Sequence, residues 1–329
     1  MDLSFQIVSK EHVFEPGRHF PQCHASTLLP VGGEVLCAWF GGTRESHPDV
    51  AIWAARRKGG AWSDPVKVAD EEGVPCWNPV LMGDAGRIVL FYKTGLNPRL
   101  WRTMRIVSVD GGLTWSAPRE LVPGDVGGRG PVKNKAIVLS DGSWLAPASV
   151  ETETEWDAFS DRSRDRGETW SRSAPVPIDH GTLRGKGVIQ PTLWESGPGN
   201  VHMLLRSTEG SIFRSDSADA GTTWCPAYAT DLPNNNSGID AVRMGDGRIV
   251  LVYNPVGGDW GPRTPVSCSL SADGGRSWSA PFTLDHEKDP KDRVDGEFSY
   301  PAVVRHGDRA YVSYTWKRRT IEFCELALG

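Results

Sequence analysis

Two histidines early in the chain, His24 and His47, are followed by adjacent Tyr92 and Lys93 and then by two arginines, Arg102 and Arg105. These residue types match the demands of a β-elimination at a uronic acid. The reaction needs a base for the C5 proton, a cation or donor to hold the carboxylate while enolate charge develops, and an acid for the leaving oxygen. Histidine is a competent base at neutral pH, and tyrosine or a second histidine can serve as the acid. Farther on, Lys133-Asn134-Lys135 offers two cations to an acidic sugar.

Groups this far apart in sequence act together only if the fold gathers them, and a repeat indicates how. Trp62, Trp115, Trp170, Trp224 and Trp278 recur at intervals of 53, 55, 54 and 54 residues. Four of them close nearly the same phrase: Ser108-Val-Asp110-Gly-Gly112-Leu-Thr114-Trp115, Ser163-Arg-Asp165-Arg-Gly167-Glu-Thr169-Trp170, Ser217-Ala-Asp219-Ala-Gly221-Thr-Thr223-Trp224 and Ser271-Ala-Asp273-Gly-Gly275-Arg-Ser277-Trp278. A worn copy, Arg57-Lys-Gly59-Gly60-Ala61-Trp62, keeps the glycines and the tryptophan. Aspartate bonds backbone N–H groups ahead of it, glycine supplies positive φ, and the indole plugs the sheet, so the phrase reads as a tight hairpin rather than a catalytic motif.

Between these phrases lie six pairs of short apolar strands. They begin at His24, Asn78, Asn134, Gln190, Asp240 and Tyr300, and their second members end near Trp39, Tyr92, Ala148, Arg206, Tyr253 and Tyr314. Six such units in 329 residues predict an all-β, six-bladed propeller of four-stranded antiparallel blades, occupying residues 1–329 as a single domain. In a propeller, the starts of the innermost strands and the residues after each second strand converge on one mouth of the channel. The first set is His24, Asn78, Asn134, Gln190, Asp240 and Tyr300. The second is Gly41-Gly42, Tyr92-Lys93, Glu151, Arg206, Tyr253-Asn254 and Trp316. A concave mouth ringed by charge and aromatics is the default ligand site, and Trp39, Trp77, Trp101, Trp156, Trp260 and Trp316 would offer flat surfaces to sugar rings.

Composition narrows the function classes. A formal charge of -5 without a Lys or Arg run argues against nucleic acid as a partner. No stretch approaches a membrane span, and the first residues lack the pattern of a signal peptide, so a cytoplasmic location is expected. Cys23, Cys37, Cys76, Cys225, Cys268 and Cys324 form no C-x-x-C pair and read as free thiols. The neighbours Cys23 and His24 would point to opposite faces of a strand, so no metal is assigned to them, and no cofactor is expected.

The Asp-containing phrase resembles the Asp-box (BNR) repeat of the sialidase-like β-propellers. That resemblance implies an Arg-Ile-Pro motif opening the first blade, an acid Asp in the following loop, a mid-chain Glu, two more arginines and a late Tyr nucleophile. Here His24 stands where the first arginine would fall, and there is no Arg-Ile-Pro. The acid position falls at or near His47 in Arg44-Glu-Ser-His47-Pro-Asp49, with Asp49 two residues away, while Glu151, Arg206, Arg263 and Tyr300 match the remaining roles. Loss of a bidentate arginine is not made good by histidine. The early pattern instead resembles the propeller-type uronate lyases that cut rhamnose–glucuronate linkages, including ulvan lyases, although those are seven-bladed. The resemblance implies His24 and His47 as base and partner, Tyr92 as acid, and Lys93, Arg105 or Arg206 as carboxylate holders. Arg44, Lys133, Asn134, Lys135, Glu151, Gln190, Asp240, Asn254, Arg263 and Trp316 are expected to bind substrate, and Arg318-Arg319 to be a blade-closing surface feature. A lyase acting on an acidic oligosaccharide is the leading expectation. A sialidase-like hydrolase using Asp49, Glu151 and Tyr300 and a non-catalytic glycan-binding propeller are the alternatives.

Overall fold

The computed structural model describes residues 4–329. Six antiparallel sheets follow one another along the chain. From the axis outward, blade one uses Gln22–Val31, Glu34–Gly42 and Ala51–Lys58, its outer position shared by Ala61–Trp62 and Val66–Ala69. Blade two is Cys76–Asp84, Arg87–Thr94, Arg102–Ser108 and Arg119–Glu120, and blade three is Ile137–Val138, Trp144–Glu151, Trp156–Ser163 and Ser171–Arg172. Blade four is Val188–Gly197, Asn200–Ser207, Ser211–Ser217 and Tyr228–Pro233; blade five is Asp240–Arg243, Ile249–Tyr253, Val266–Ser271 and Phe282–Asp285. Blade six takes three strands from the end of the chain, Phe298–His306, Arg309–Trp316 and Thr320–Leu328, and its outer strand, Phe5–His12, from the beginning. The ring is closed by that last ladder, which runs from Phe5 opposite Leu328 to His12 opposite Glu322. Among the described residues no helix is long and apolar enough to cross a membrane.

The apolar core is divided among the junctions between blades. Leu36 and Ile52 of blade one meet Ile88 and Leu90 of blade two, Val303 and Val312 of blade six meet Val250 and Cys268 of blade five, and comparable clusters fill the other four junctions. Each blade therefore buries both faces only when its neighbours are present, which makes closure of the ring part of the stability. The five cysteines Cys23, Cys37, Cys76, Cys268 and Cys324 are buried free thiols in these junctions, and Cys225 is a partly buried one.

The repeated phrase joins the third and fourth strands of blades two to five, where it forms the hairpin its sequence implies. In blade two, Asp110 Oδ1 accepts from the backbone N–H of Leu113 and Thr114 at 3.0 and 2.9 Å, and Ser108 Oγ accepts from Gly112 N at 2.7 Å. Hydrogen bonds from Thr169 and Ser163 outweigh slight burial and hold the Asp165 carboxyl at about 2. The indoles face the junction with the preceding blade: Trp170 lies edge-on to Phe91 at 5.9 Å. The third strand of each preceding blade also reaches into the box. Arg105 Nη1 donates to Gly167 O at 3.1 Å, Ser160 Oγ to Gly221 O at 2.7 Å, and Arg214 Nη1 to Gly275 O at 2.6 Å. Blade six needs no box because its outer strand arrives from the N-terminal segment.

Gly221 shows how tightly the box is seated. Its φ is +79°, and a Cβ there would lie 2.6 Å from Cδ2 of the fully buried Leu145 in blade three. Gly221→Ala is expected to cost about 2 kcal/mol from backbone strain and overpacking, read as a lower urea midpoint with unchanged slope. An unchanged midpoint would mean that this junction is soft.

The innermost strands share a kink that corrects the expected mouth register. Ala25, Asn78, Lys133, Gln190 and Tyr300 all have φ between 36 and 71°. In blades one, two, four and six, pairing resumes two residues later, with Thr27 opposite Ala38, Val80 opposite Phe91, Thr192 opposite Leu204 and Ala302 opposite Ser313. His24 and Asn134 are thus one residue out of register with Asn78, Gln190 and Tyr300. Asp240 is two residues past the equivalent position, Gly238, and in blade five the left-handed residue is Asn236. A bulge of this kind re-aims side chains at the end of a sheet.

Candidate functional site

At the mouth, the side chain of Tyr300 is surrounded by cations. Arg206, at the end of the second strand of blade four, donates from Nη1 to the Tyr300 hydroxyl at 2.7 Å and to Gln190 Oε1 at 3.0 Å. Its Nε donates to Asn236 Oδ1 at 2.7 Å, and Asn236 Nδ2 donates in turn to Asp259 Oδ1 at 2.6 Å. The guanidinium lies 5.5 Å from the Trp156 ring, 5.8 Å from Trp260 and 5.8 Å from Tyr300. Arg263 stands 5.3 Å from the same tyrosine ring, and Lys133 Nζ lies 5.9 Å from it. Arg206 and Arg263 are buried, whereas Trp260 is exposed on the loop after the second strand of blade five.

A second cluster supports the first. Glu297 is 1 % exposed and accepts from Arg263 Nη1 at 2.6 Å, Arg318 Nε at 2.9 Å and Ser299 Oγ at 2.7 Å. Burial pushes its carboxyl up, but Arg263 and Arg318 prevail and hold it well below the ordinary value. Arg318 sits in the tight turn after the second strand of blade six and also donates to Glu45 at 2.6 Å. The His24 ring lies tilted against the Tyr300 ring, centroids 4.1 Å apart, with Nδ1 2.8 Å from Thr315 Oγ1 and 3.8 Å from Glu297. Burial and the neighbouring Arg318 lower His24 well below its ordinary value despite Glu297, so the imidazole is neutral at pH 7. Arg206 Nη2, Arg318 Nη2, and Nε and Nη2 of Arg263 make no hydrogen bond among the described residues. Such free guanidinium edges around an aromatic hydroxyl suit a carboxylate-bearing ligand.

Gln22, His24, Arg44, Glu45, Trp260, Arg263, Arg293, Val294, Glu297, Tyr300 and Arg318 line one open cavity of about 450 Å³, within the range of about 300–1,000 Å³ usual for small-molecule sites. Glu151 ends the second strand of blade three, opposite Trp156. Burial raises its carboxyl above the ordinary value, opposed by Arg206 and Lys186 and reinforced by Glu45, and it has no hydrogen-bond or ion-pair partner among the described residues.

The structure brings together His24, Gln190, Arg206, Arg263 and Tyr300, with Arg44 on the rim and Glu151 nearby. The remaining candidates lie elsewhere. His47 and Asp49 pair with each other at 2.7 Å on the loop 43–49, where Thr43 also donates to Asp49, and neither lines the cavity with Arg44 and Glu45. Tyr92 is buried in the apolar junction between blades one and two. Lys93 is buried as well, donating to Thr103 Oγ1 at 2.6 Å and Arg129 O at 2.7 Å, and burial lowers it to about 7. The trio His24, His47 and Tyr92 is therefore not assembled at one point. Arg105 turns outward to Glu168 at 2.6 Å and to the box of blade three.

Several other candidates tie the channel together. Lys133 donates to Asn134, Ile239 O and Pro301 O, and Asn134 Nδ2 to Pro191 O at 2.9 Å. Asp240 accepts from Lys135 at 2.8 Å, Thr192 Oγ1 at 2.7 Å and Val303 N at 2.8 Å. Asn254 Nδ2 bridges Pro265 O and Phe298 O, both at 2.8 Å, and Trp316 packs on His12 at 4.9 Å.

Arg318 is the clearest correction, being buried in the site rather than a blade-closing surface residue. Glu297, Glu45 and Asn236 were also missed as site residues. The available signal was position: Glu297 lies three residues before Tyr300, and Arg318 two residues after the strand that ends in Trp316. Outside this cavity, Glu155, Asp157 and His180 each bring a ligand atom within 4.8 Å of the others, with His180 Nε2 3.0 Å from Asp157.

A family described as the BNR repeat-like domain matches residues 33–312. By sequence alone, no curated protein matches the chain. Among solved structures, a protein of unknown function from Dyadobacter fermentans superposes with a TM-score of 0.78 at 17 % identity, over 99 % of both chains. A mutant of the NanB sialidase from Streptococcus pneumoniae superposes with a TM-score of 0.75 at 13 % identity, over 98 % of this chain and 70 % of that one. The sialidase of Trypanosoma rangeli, in complex with 2,3-difluorosialic acid as a covalent intermediate, gives 0.74 at 14 % identity over 97 % of this chain; the match spans 59 % of the trypanosomal chain. These likenesses establish the sialidase-like six-bladed propeller fold.

Proposed function

Since the chain belongs to the BNR repeat-like domain family, we propose that it is a carbohydrate-active enzyme that hydrolyses the glycosidic bond of an acidic sugar at the mouth around Tyr300. The observation that carries this reading is the Arg206–Tyr300 contact of 2.7 Å inside a wall of buried arginines with unused donors. The guanidinium N–H on the phenol oxygen fixes the position of that oxygen for attack as a nucleophile. The free edges of Arg206 and Arg263 hold the sugar carboxylate, and the exposed Trp260 offers an apolar face to a ring. The Tyr300 hydroxyl gives its proton to water in the open cavity as its oxygen attacks the anomeric carbon and the bond to the leaving oxygen breaks, and it regains a proton when the sugar is released. Glu151, whose carboxyl is raised by burial, gives the leaving oxygen its proton. Water then attacks the glycosyl–tyrosine bond, returning a proton to Glu151 and releasing the sugar.

One observation favours a second reading, β-elimination at a uronic acid. His24 is neutral and lies 4.1 Å from Tyr300, so an imidazole base and a tyrosine acid face the same cavity without His47 or Tyr92.

The two are separated by incubating the protein with an aryl sialoside and with a panel of glucuronate-containing oligosaccharides. Release of the aryl group, or of a reducing sugar without a rise in ultraviolet absorbance, is the expected result. A rise from the 4,5-unsaturated uronate, lost in His24→Ala, would replace hydrolysis by elimination. Saturable binding without any product would make the propeller a glycan-binding module.

A further inference from the structure

A second cavity opens on the same face, between blades four and five, and Trp260 with its neighbour Asp259 separates it from the first. It measures about 370 Å³, and the residues that shape it are Arg184, Thr208, Glu209, Gly210, Gly258 and Asp259. We infer that it is a subsite for an uncharged sugar unit joined to the acidic one, so that the preferred substrate is an oligosaccharide rather than a simple glycoside. This rests on the reading of the Tyr300 site given above.

The chemistry of the lining sets the class of ligand. Glu209 is committed to the loop that precedes blade four: Oε2 accepts from Arg184 N at 3.0 Å, and Oε1 from Gly185 N at 2.8 Å and Thr208 Oγ1 at 3.0 Å. It fixes the wall, and its negative charge remains. Asp259 is held through Oδ1 by Asn236, which leaves Oδ2 as an acceptor, while the exposed Arg184 side chain makes no hydrogen bond among the described residues. One guanidinium donor facing one carboxylate acceptor matches the paired hydroxyls of a neutral sugar. A second acidic unit would meet two carboxylates against a single arginine, a net repulsion. The floor is bare backbone, for a Cβ on Gly210 would come within 3.2 Å of Gly258 N, while at Gly258 the Cβ direction is open space. A flat ring can therefore approach the main chain.

This cavity is wired to the reacting group. Asp259 accepts from Asn236 at 2.6 Å, Asn236 accepts from Arg206 at 2.7 Å, and Arg206 donates to the Tyr300 hydroxyl at 2.7 Å. A sugar hydroxyl bonded to Asp259 is thus four hydrogen bonds from the phenol.

The test compares kcat/KM for an aryl glycoside of the acidic sugar with that for the same sugar linked to a neutral hexose, in wild type and in Arg184→Ala. Arg184 is a surface side chain outside the Tyr300 cluster, so the variant keeps its fold. Wild type is expected to prefer the two-unit substrate, and Arg184→Ala to lose roughly tenfold on it, the worth of one or two hydrogen bonds, while staying within about twofold on the aryl glycoside. Equal loss on both substrates, or none on either, would overturn the subsite and leave the Tyr300 reading intact. Absence of turnover on both in wild type would overturn that reading. The subsite is then judged by nuclear magnetic resonance titration with methyl hexosides, where binding weakened by Arg184→Ala supports it and no binding refutes it.

Discussion

Tyr300→Phe is expected to lower kcat by about three orders of magnitude or more while leaving the protein folded. The substitution removes only the hydroxyl. The ring that packs at a tilt against His24 at 4.1 Å and lies beneath Arg206 and Arg263 is kept, and Arg206 Nη1 retains Gln190 as an acceptor. The loss in stability should therefore stay near about 1 kcal/mol, the net worth of one hydrogen bond. KM should move far less than kcat, because the donors assigned to the carboxylate remain. Steady-state kinetics on an aryl glycoside of an acidic sugar, with a thermal melt as control, would decide the matter. Turnover within tenfold of wild type would exclude Tyr300 as the reacting group and return the chemistry to His24 or Glu151.

Glu297→Gln addresses the support beneath the site. One buried carboxylate neutralises Arg263 and Arg318, both also buried, and accepts from Ser299. An amide leaves Arg263 without its counter-charge and Arg318 with Glu45 alone, and breaking a buried pair from one side costs about 3–5 kcal/mol. The pH dependence follows from the direction of the shift. The folded carboxyl lies well below its ordinary value, so its stabilisation is complete above the unfolded value of about 4.3 and fades as pH falls toward the lower folded value. Urea unfolding at a series of pH values should show wild type losing stability across that acidic window and Glu297→Gln losing correspondingly less. Parallel profiles would mean that the arginines find other partners.

Much of this architecture is legible in the residue pattern because it is local. The Ser-x-Asp-x-Gly phrases close hairpins within a few residues, so their spacing counts blades directly. Strand pairs with β-branched apolar runs mark the inner half of each blade. Tyr300, Arg206 and His24 were also accessible from sequence, since each stands where an innermost strand begins or a second strand ends, whereas Arg263, in the loop after the second strand of blade five, was suggested only by the sialidase-like resemblance. What could not be read was set by contacts between distant blades. Glu297 and Arg318 look like ordinary surface charges until the turn of blade six brings Arg318 to Glu45, 273 residues away. Tyr92 and Lys93 end a second strand just as Arg206 does, yet packing between blades draws both into the interior.

The number of blades, the strand order within them and the place of the boxes are readable from the residue pattern alone, because hairpin turns and short continuous apolar strand runs act over a few residues. The assembled fold alone sets the closure by Phe5–His12, the shifts of one residue at Asn134 and two at Asp240 that leave Tyr300 at the cavity in their place, and the arginine–glutamate network around it. Those depend on six blades meeting at an axis, where desolvation forces each buried charge to find a partner from another part of the chain.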